Sequence, residues 1–153
     1  MGTKELLTKS AEETKKAGRE FGNSLKGGEV IGLVGDLGGG KTTFVQGIAE
    51  ALGVETRTIS PTFIIVREYK INKNFSSTSY KNKFGGNLYH VDLYRLEGNL
   101  KNELESLGIL NFAKDPKNVV VIEWADKARE YLPENTKWIT FENLGKNERK
   151  ITL

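Results

Sequence analysis

The run Gly35-Asp36-Leu37-Gly38-Gly39-Gly40-Lys41-Thr42-Thr43 carries the most specific chemistry in the sequence. Gly35 and Gly40 with Lys41-Thr42 after them match a phosphate-binding loop. Gly38, Gly39 and Gly40 let successive backbone N–H groups turn inward, where side chains would block a phosphate. A helix starting near Lys41 adds the positive end of its dipole, roughly half a unit charge. Lys41 is expected to reach the β- and γ-phosphates as a point charge, Thr42 to ligate Mg²⁺ and Thr43 to meet the α-phosphate. The alternative, a Gly-rich turn before an ordinary helix, is weakened by the flanks. Val30-Ile31-Gly32-Leu33-Val34 reads as a buried strand, and Phe44, Val45, Ile48, Ala49 and Leu52 mark an amphipathic helix closed by Gly53. The expectation is a nucleotide site.

Such a loop needs an acid near the metal, usually at the end of a neighbouring strand. Glu123 closes the apolar run Val119-Val120-Val121-Ile122, at the carboxyl edge where α/β sheets bind ligands. The competing reading of Glu123 is a solvated strand end. Trp124 beside it is either core or a cover for the nucleotide. In Leu88–Arg95, alternation puts Tyr89, Val91 and Leu93 on one face and His90, Asp92 and Tyr94 on the other. That polar face looks either at water or at the nucleotide, with Asp92 positioning Mg²⁺ or the attacking water; the pattern does not choose. His90 alone reads more readily as a hydrogen-bonded structural histidine than as a base. Arg57, Arg67 and Arg95 are all available cations, and none is singled out as a charge-stabilising finger.

The elements that must position these groups follow from the same patterns. Ser10 with Glu13 looks like a capping box, and Leu7, Ala11, Thr14, Gly18, Phe21 and Leu25 recur at helical spacing up to Gly27-Gly28. Pro61 marks the entry to a strand over 62–71, which pairs with Leu88–Arg95 as a long hairpin around the polar tip 72–87. A helix is expected over 97–107, irregular chain through Pro116, and a closing hairpin from 137–142 and 149–153. The lysines of the tip region, Lys70, Lys73, Lys81 and Lys83, with interleaved aromatics, could touch nucleic acid or a partner protein, or simply form a mobile solvated tip.

Composition bounds the rest. The chain has 153 residues, enough for one domain with a sizeable core. It has no cysteine, which excludes a disulfide scaffold, Cys-ligated zinc, iron–sulfur clusters and thiol catalysis. Its single histidine excludes any site needing two imidazoles. A net charge of +3, with signs mixed along the chain, permits contact with nucleic acid without arguing for it. No apolar run approaches the roughly 20 residues that span a bilayer, and the start lacks an apolar signal region, so a reducing cytoplasm is expected. The expected fold is a single α/β P-loop NTPase domain over 1–153. Its central, mostly parallel sheet is flanked by helices, with added antiparallel hairpin strands.

The pieces together resemble the TsaE family, formerly YjeE. The likeness rests on the phosphate loop, then Ser60-Pro61-Thr62-Phe63, His90-Val91-Asp92-Leu93-Tyr94-Arg95-Leu96, Glu103-Leu104 with Leu107-Gly108, and Ile122-Glu123-Trp124-Ala125-Asp126. It runs from about Glu29 to Asp126. The resemblance implies ATP/ADP and Mg²⁺ binding, weak ATP hydrolysis alone, and work with the TsaD and TsaB proteins. Those proteins install the threonylcarbamoyl group on the adenosine next to the anticodon in tRNAs that read codons beginning with A. It also implies nucleotide contacts for the loop from Asp36 to Thr43, a Mg²⁺ role for Glu123 and a catalytic role for Asp92. Thr62 resembles a switch residue, and Trp124 is implied to lie near the nucleotide. Two features depart from the family pattern: the long connection 72–87, and Ala125-Asp126 where Pro-Glu is more frequent. A small P-loop kinase is the alternative of another enzyme class, though no Arg cluster follows the loop helix to form a lid. A non-catalytic nucleotide sensor is the third reading.

Overall fold

The computed structural model describes residues 2–36, 38–55, 65–72, 76–77, 80–81 and 85–153. Its centre is set by apolar runs. Strands β2 (Val30–Gly35) and β7 (Val119–Glu123) are almost continuously apolar because parallel strands inside a sheet are covered on both faces. They pair in parallel with Leu33 opposite Glu123. Strand β6 (Asn87–Asp92) joins the other side of β7, also parallel, with Asp92 opposite Glu123. On the far side of β2 lies β8 (Lys137–Gly145), parallel to it, followed outward by the antiparallel β9 (Glu148–Thr152) and β1 (Glu5–Thr8). Strand β3 (Val66–Lys70) closes the other edge, antiparallel to β6. The seven-stranded order is β1-β9-β8-β2-β7-β6-β3, and a separate short bridge pairs β4 (Ser76–Ser77) with β5 (Tyr80–Lys81).

The period of two in a strand divides the core into two layers. Val119 and Val121 point to one face, where they meet Phe44 and Ile48 of α2 (Lys41–Ala51), Leu52 just after it and Ala17 of α1 (Ala11–Asn23). Val120 and Ile122 point to the other, against Leu100 and Leu104 of α3 (Leu100–Leu107), Ile109 of α4 (Ile109–Phe112) and the 3-10 segment Ala125–Tyr131. The mixed α/β architecture with a mostly parallel centre and helical flanks is the one the sequence predicts.

The boundaries show where local pattern gave way to tertiary context. Ser10 caps α1 as expected, its hydroxyl accepting the Glu13 N–H, while the Glu13 carboxylate accepts the N–H of Lys9 instead of the cap residue's own. Leu7 is not on that helix: it lies in β1, is 68% exposed, and exists as strand because β9 offers a free edge. The expected helix over 97–107 starts only at Leu100, since Gly98 takes a positive φ and the Asn99 side chain caps the first turn. The chain expected to be irregular before Pro116 contains α4, set off from α3 by left-handed Gly108. Strand β6 stops at Asp92, before the predicted Arg95, because the Asp92 carboxylate accepts the Tyr94 N–H and turns the chain. Thr62 and most of the expected strand entry and hairpin tip, including Lys73 and Lys83, lie outside the described residues.

Candidate functional site

The carboxyl ends of β2, β7 and β6 open on one cleft of about 380 Å³, at the amino end of α2. Gly38, Gly39, Gly40, Lys41, Thr42 and Thr43 form its floor. Gly40 is the residue before α2 and has φ +96°, a conformation glycine enters without strain. No side chain caps the helix there, so its first N–H groups face the cleft. Gly39 N–H is tied back to the Asp36 carbonyl at 3.1 Å, which closes the loop under them. The arrangement has the backbone geometry that suits an anion.

Lys41 is only 5% exposed. Its Nζ donates to the Gly35 and Asp36 carbonyls of the loop and sits 4.3 Å above the Trp124 ring. Burial pulls its pKa below the usual lysine value, and Glu123, Asp92, Asp36 and Asp126 act in the opposite direction. Thr42 Oγ1 donates to the Glu123 carboxylate, 3.1 Å from Oε1. Glu123 Oε2 lies 2.5 Å from Nε2 of His90, which is fully buried and has no hydrogen-bond partner on Nδ1 among the described residues. The polar face of β6 is therefore turned inward under α2 and not toward water. Asp92, 5% exposed, reaches the cleft beside Glu123.

Trp124 lines the cleft and is half-buried, so it is not a core residue of the ordinary kind. Its backbone is left-handed, φ 59°, a strained state for a large side chain that redirects the chain sharply after β7. The turn sets its ring against Tyr94, 5.0 Å between centroids, at the mouth of the site.

The cleft also draws in residues that no motif signals. Ala11 and Thr14 arrive from the start of α1, Asn147 from the β8–β9 turn and Arg149 from the start of β9. Arg149 is held by bonds to the Asn143 side chain and to the Lys146 and Glu148 carbonyls. Of the arginines weighed from sequence, Arg67 lies on edge strand β3, Arg95 is exposed beyond β6, and Arg57 falls outside the described residues. Thr62 does too.

With this geometry in place, comparison with known proteins decides the family. The family model described as "Threonylcarbamoyl adenosine biosynthesis protein TsaE" matches residues 8–151. The chain belongs to the TsaE family. A Bacillus subtilis relative named "tRNA threonylcarbamoyladenosine biosynthesis protein TsaE" is 38% identical over 95% of this chain and 82% of its own. One of the same name from Aquifex aeolicus is 36% identical over 98% and 95%. A crystal structure of Bacillus subtilis YdiB superposes with a TM-score of 0.72 at 33% identity, covering 99% of this chain and 84% of that one.

The donor set in this TsaE-family chain also indicates which cation suits it. Among the described residues no cluster of three His, Cys, Asp or Glu side chains could hold a metal by itself. Thr42 and Glu123 nevertheless place a hydroxyl and a carboxylate side by side at the phosphate loop. That pair fits Mg²⁺, which keeps several waters and takes most remaining ligands from phosphate.

Proposed function

We propose that the chain is a Mg²⁺-dependent ATPase that serves the formation of threonylcarbamoyladenosine in tRNA, working with the TsaD and TsaB proteins in the cytoplasm. The observation that carries this reading is the meeting of Lys41, Thr42, Glu123 and Asp92 in one cleft at the uncapped amino end of α2. The relatives' names, which refer to threonylcarbamoyladenosine biosynthesis, support the pathway. Residues 1–153 act as a single domain in this reading.

The loop N–H groups from Gly38 to Thr43 bind the phosphates of ATP or ADP, and Lys41 exchanges its loop carbonyls for phosphate oxygens. Thr42 and Glu123 would hold Mg²⁺, which would supply neutralisation of the phosphate charge. Glu123 is kept in place for this by His90 beneath it. Asp92 orients the attacking water, and Trp124 covers the phosphates and limits access of other water. Ala11, Thr14, Asn147 and Arg149 form the wall on which the base and sugar lie, and Thr62 acts as a switch residue. Contact with tRNA is through the assembly.

Reconstitution tests the reading. The purified chain alone hydrolyses ATP slowly, and hydrolysis rises when TsaD and TsaB are added. Multiple-turnover tRNA modification by TsaD and TsaB increases in its presence. Modification that is unchanged by adding the chain would overturn the assignment.

A further inference from the structure

Lys127, in the 3-10 segment that follows β7, is committed entirely to backbone oxygens. Its Nζ donates to the carbonyls of Leu93 at 3.0 Å, Tyr94 at 3.0 Å and Leu96 at 2.6 Å. An ammonium group has three N–H donors and no acceptor, so these bonds use its full capacity and leave none for a phosphate. All are charge-assisted, the stronger class of hydrogen bond.

The carbonyls it gathers belong to the turn by which the chain leaves β6, directly after Asp92. Within that turn the Tyr94 N–H donates to Asp92 Oδ1 at 2.9 Å, and the Leu93 N–H donates to the Glu123 carbonyl at 3.1 Å. The Tyr94 ring lies against Trp124, over which Lys41 Nζ is placed. The Lys127 N–H closes the circuit on the Trp124 carbonyl at 3.2 Å. One cation therefore joins the exits of the two strands that carry Asp92 and Glu123. The turn has one backbone bond of its own, from the Leu96 N–H to the Leu93 carbonyl at 3.0 Å, and without the cation the converging carbonyl dipoles would repel one another and loosen it.

We propose that Lys127 is a positioning residue for nucleotide hydrolysis, clamping the Leu93–Leu96 turn to the exit of β7 so that Asp92 and Trp124 keep a fixed relation to the phosphate loop. The proposal rests on the reading of Asp92 as the group that orients the attacking water. Lys127→Met in the full chain removes the ammonium and keeps most of the stem. The expected result is a fall in kcat of about tenfold or more, with KM for ATP and the affinity for a fluorescent ADP analogue held within about twofold. Amide hydrogen exchange should quicken by about tenfold or more at Leu93–Leu96 and stay unchanged in Val120–Ile122.

An unchanged kcat overturns the proposal. So does a fall in kcat matched by an equal loss of ADP affinity and by faster exchange throughout β7, because that is the behaviour of a general prop. If the unsubstituted protein shows no ATP turnover, the ATPase reading fails on its own account and exchange decides the clamp. Faster exchange confined to the turn then upholds it, and unchanged exchange there overturns it.

Discussion

Helix α2 has a network of charged side chains at each end, and the two are built on opposite terms. At its carboxyl end Glu50 accepts from Lys15 at 2.7 Å and from Arg19 at 3.0 Å, and Arg19 also reaches Glu12. These side chains are all partly in water, from 30% to 74% exposed. Desolvation raises the Glu50 pKa, but hydrogen bonds from Lys15 and Arg19 outweigh it and hold the carboxyl below its usual value. The Arg19 guanidinium is in turn raised, chiefly by its bond to Glu50. At the amino end Lys41, His90, Asp92 and Glu123 are each 5% exposed or less, and burial prevails over nearby acids in lowering the Lys41 pKa. One network relaxes its charges against each other in solvent, where such pairs contribute little. The other keeps charge dry, which opposes folding and strengthens every electrostatic interaction inside the site.

The largest expected effect comes from removing the buried cation. Lys41→Met is predicted to weaken ADP binding about 100-fold, the size of a lost charge-assisted contact of about 3 kcal/mol, as measured by titration with a fluorescent analogue. The melting temperature should hold or rise. The sign follows from the lowered pKa: the folded state binds this proton less tightly than the unfolded chain, so a protonated Lys41 opposes folding, and that penalty fades as pH rises from the lowered folded value to the ordinary value of 10.5. Lost stability with intact ADP affinity would reverse the contrast between the two ends. Of comparable size but on a different quantity, Asp92→Ala and Glu123→Ala are each predicted to keep ADP binding within a few-fold and to lower ATP turnover on the order of 100-fold. The reason, on the proposed function, is that loop amides and Lys41 supply affinity, whereas the acids act on water and metal. Rapid-quench turnover beside equilibrium binding separates the two.

The buried end was more legible in the sequence than its complexity suggests. A continuous apolar run ending in Glu123 has few readings other than a central parallel strand with an acid at the ligand edge. Asp92 was half legible: period-two alternation assigned it a face with His90, but only the packing of α2 over β6 makes that face interior. Arg149 and Asn147 carried no signal, because the register of β8 and β9 alone brings a turn far along the chain against Gly40. Leu7 misled for the opposite reason. Its spacing to Ala11 and Thr14 continues the helical pattern of α1, and only a partner distant in sequence, β9, makes it strand. The Ser10 half of the α1 cap was legible because it is settled within a few residues, whereas the Glu13 carboxylate turns to Lys9 and leaves the reciprocal half of the box unformed.

The ends of α2 are joined through its crossing with α1, which gives a third, intermediate prediction. A Cβ on Gly47 would lie 2.1 Å from the Lys15 carbonyl oxygen, a backbone atom that no rotamer change can move. Gly47→Ala must therefore push the helices apart, at a cost of about 1–3 kcal/mol read from denaturant unfolding. It should also weaken ADP binding modestly, since Thr14 of α1 stands against Gly40 in the cleft. Unchanged stability would mean that the crossing gives way freely.

The smallest effect is expected at the exposed end, and it is the one that tests whether exposure is what separates the networks. Glu50→Gln removes the shared carboxylate from Lys15 and Arg19 without a large change of shape. Stability at neutral pH should fall by about 1 kcal/mol or less, and by less still in high salt, because partly solvated pairs are screened. Glu50 has its pKa lowered in the fold, so its contribution is present above the ordinary value of 4.5 and is lost as pH falls through the lower folded value. The stability curves of the two proteins should therefore converge in acid and lie apart at neutrality, with ADP affinity the same in both. A loss of several kcal/mol, or a gap that persists below that window, would mean that the Glu50 network is as dry and as demanding as the one around Lys41. The difference between the two ends would then have to come from something other than solvent.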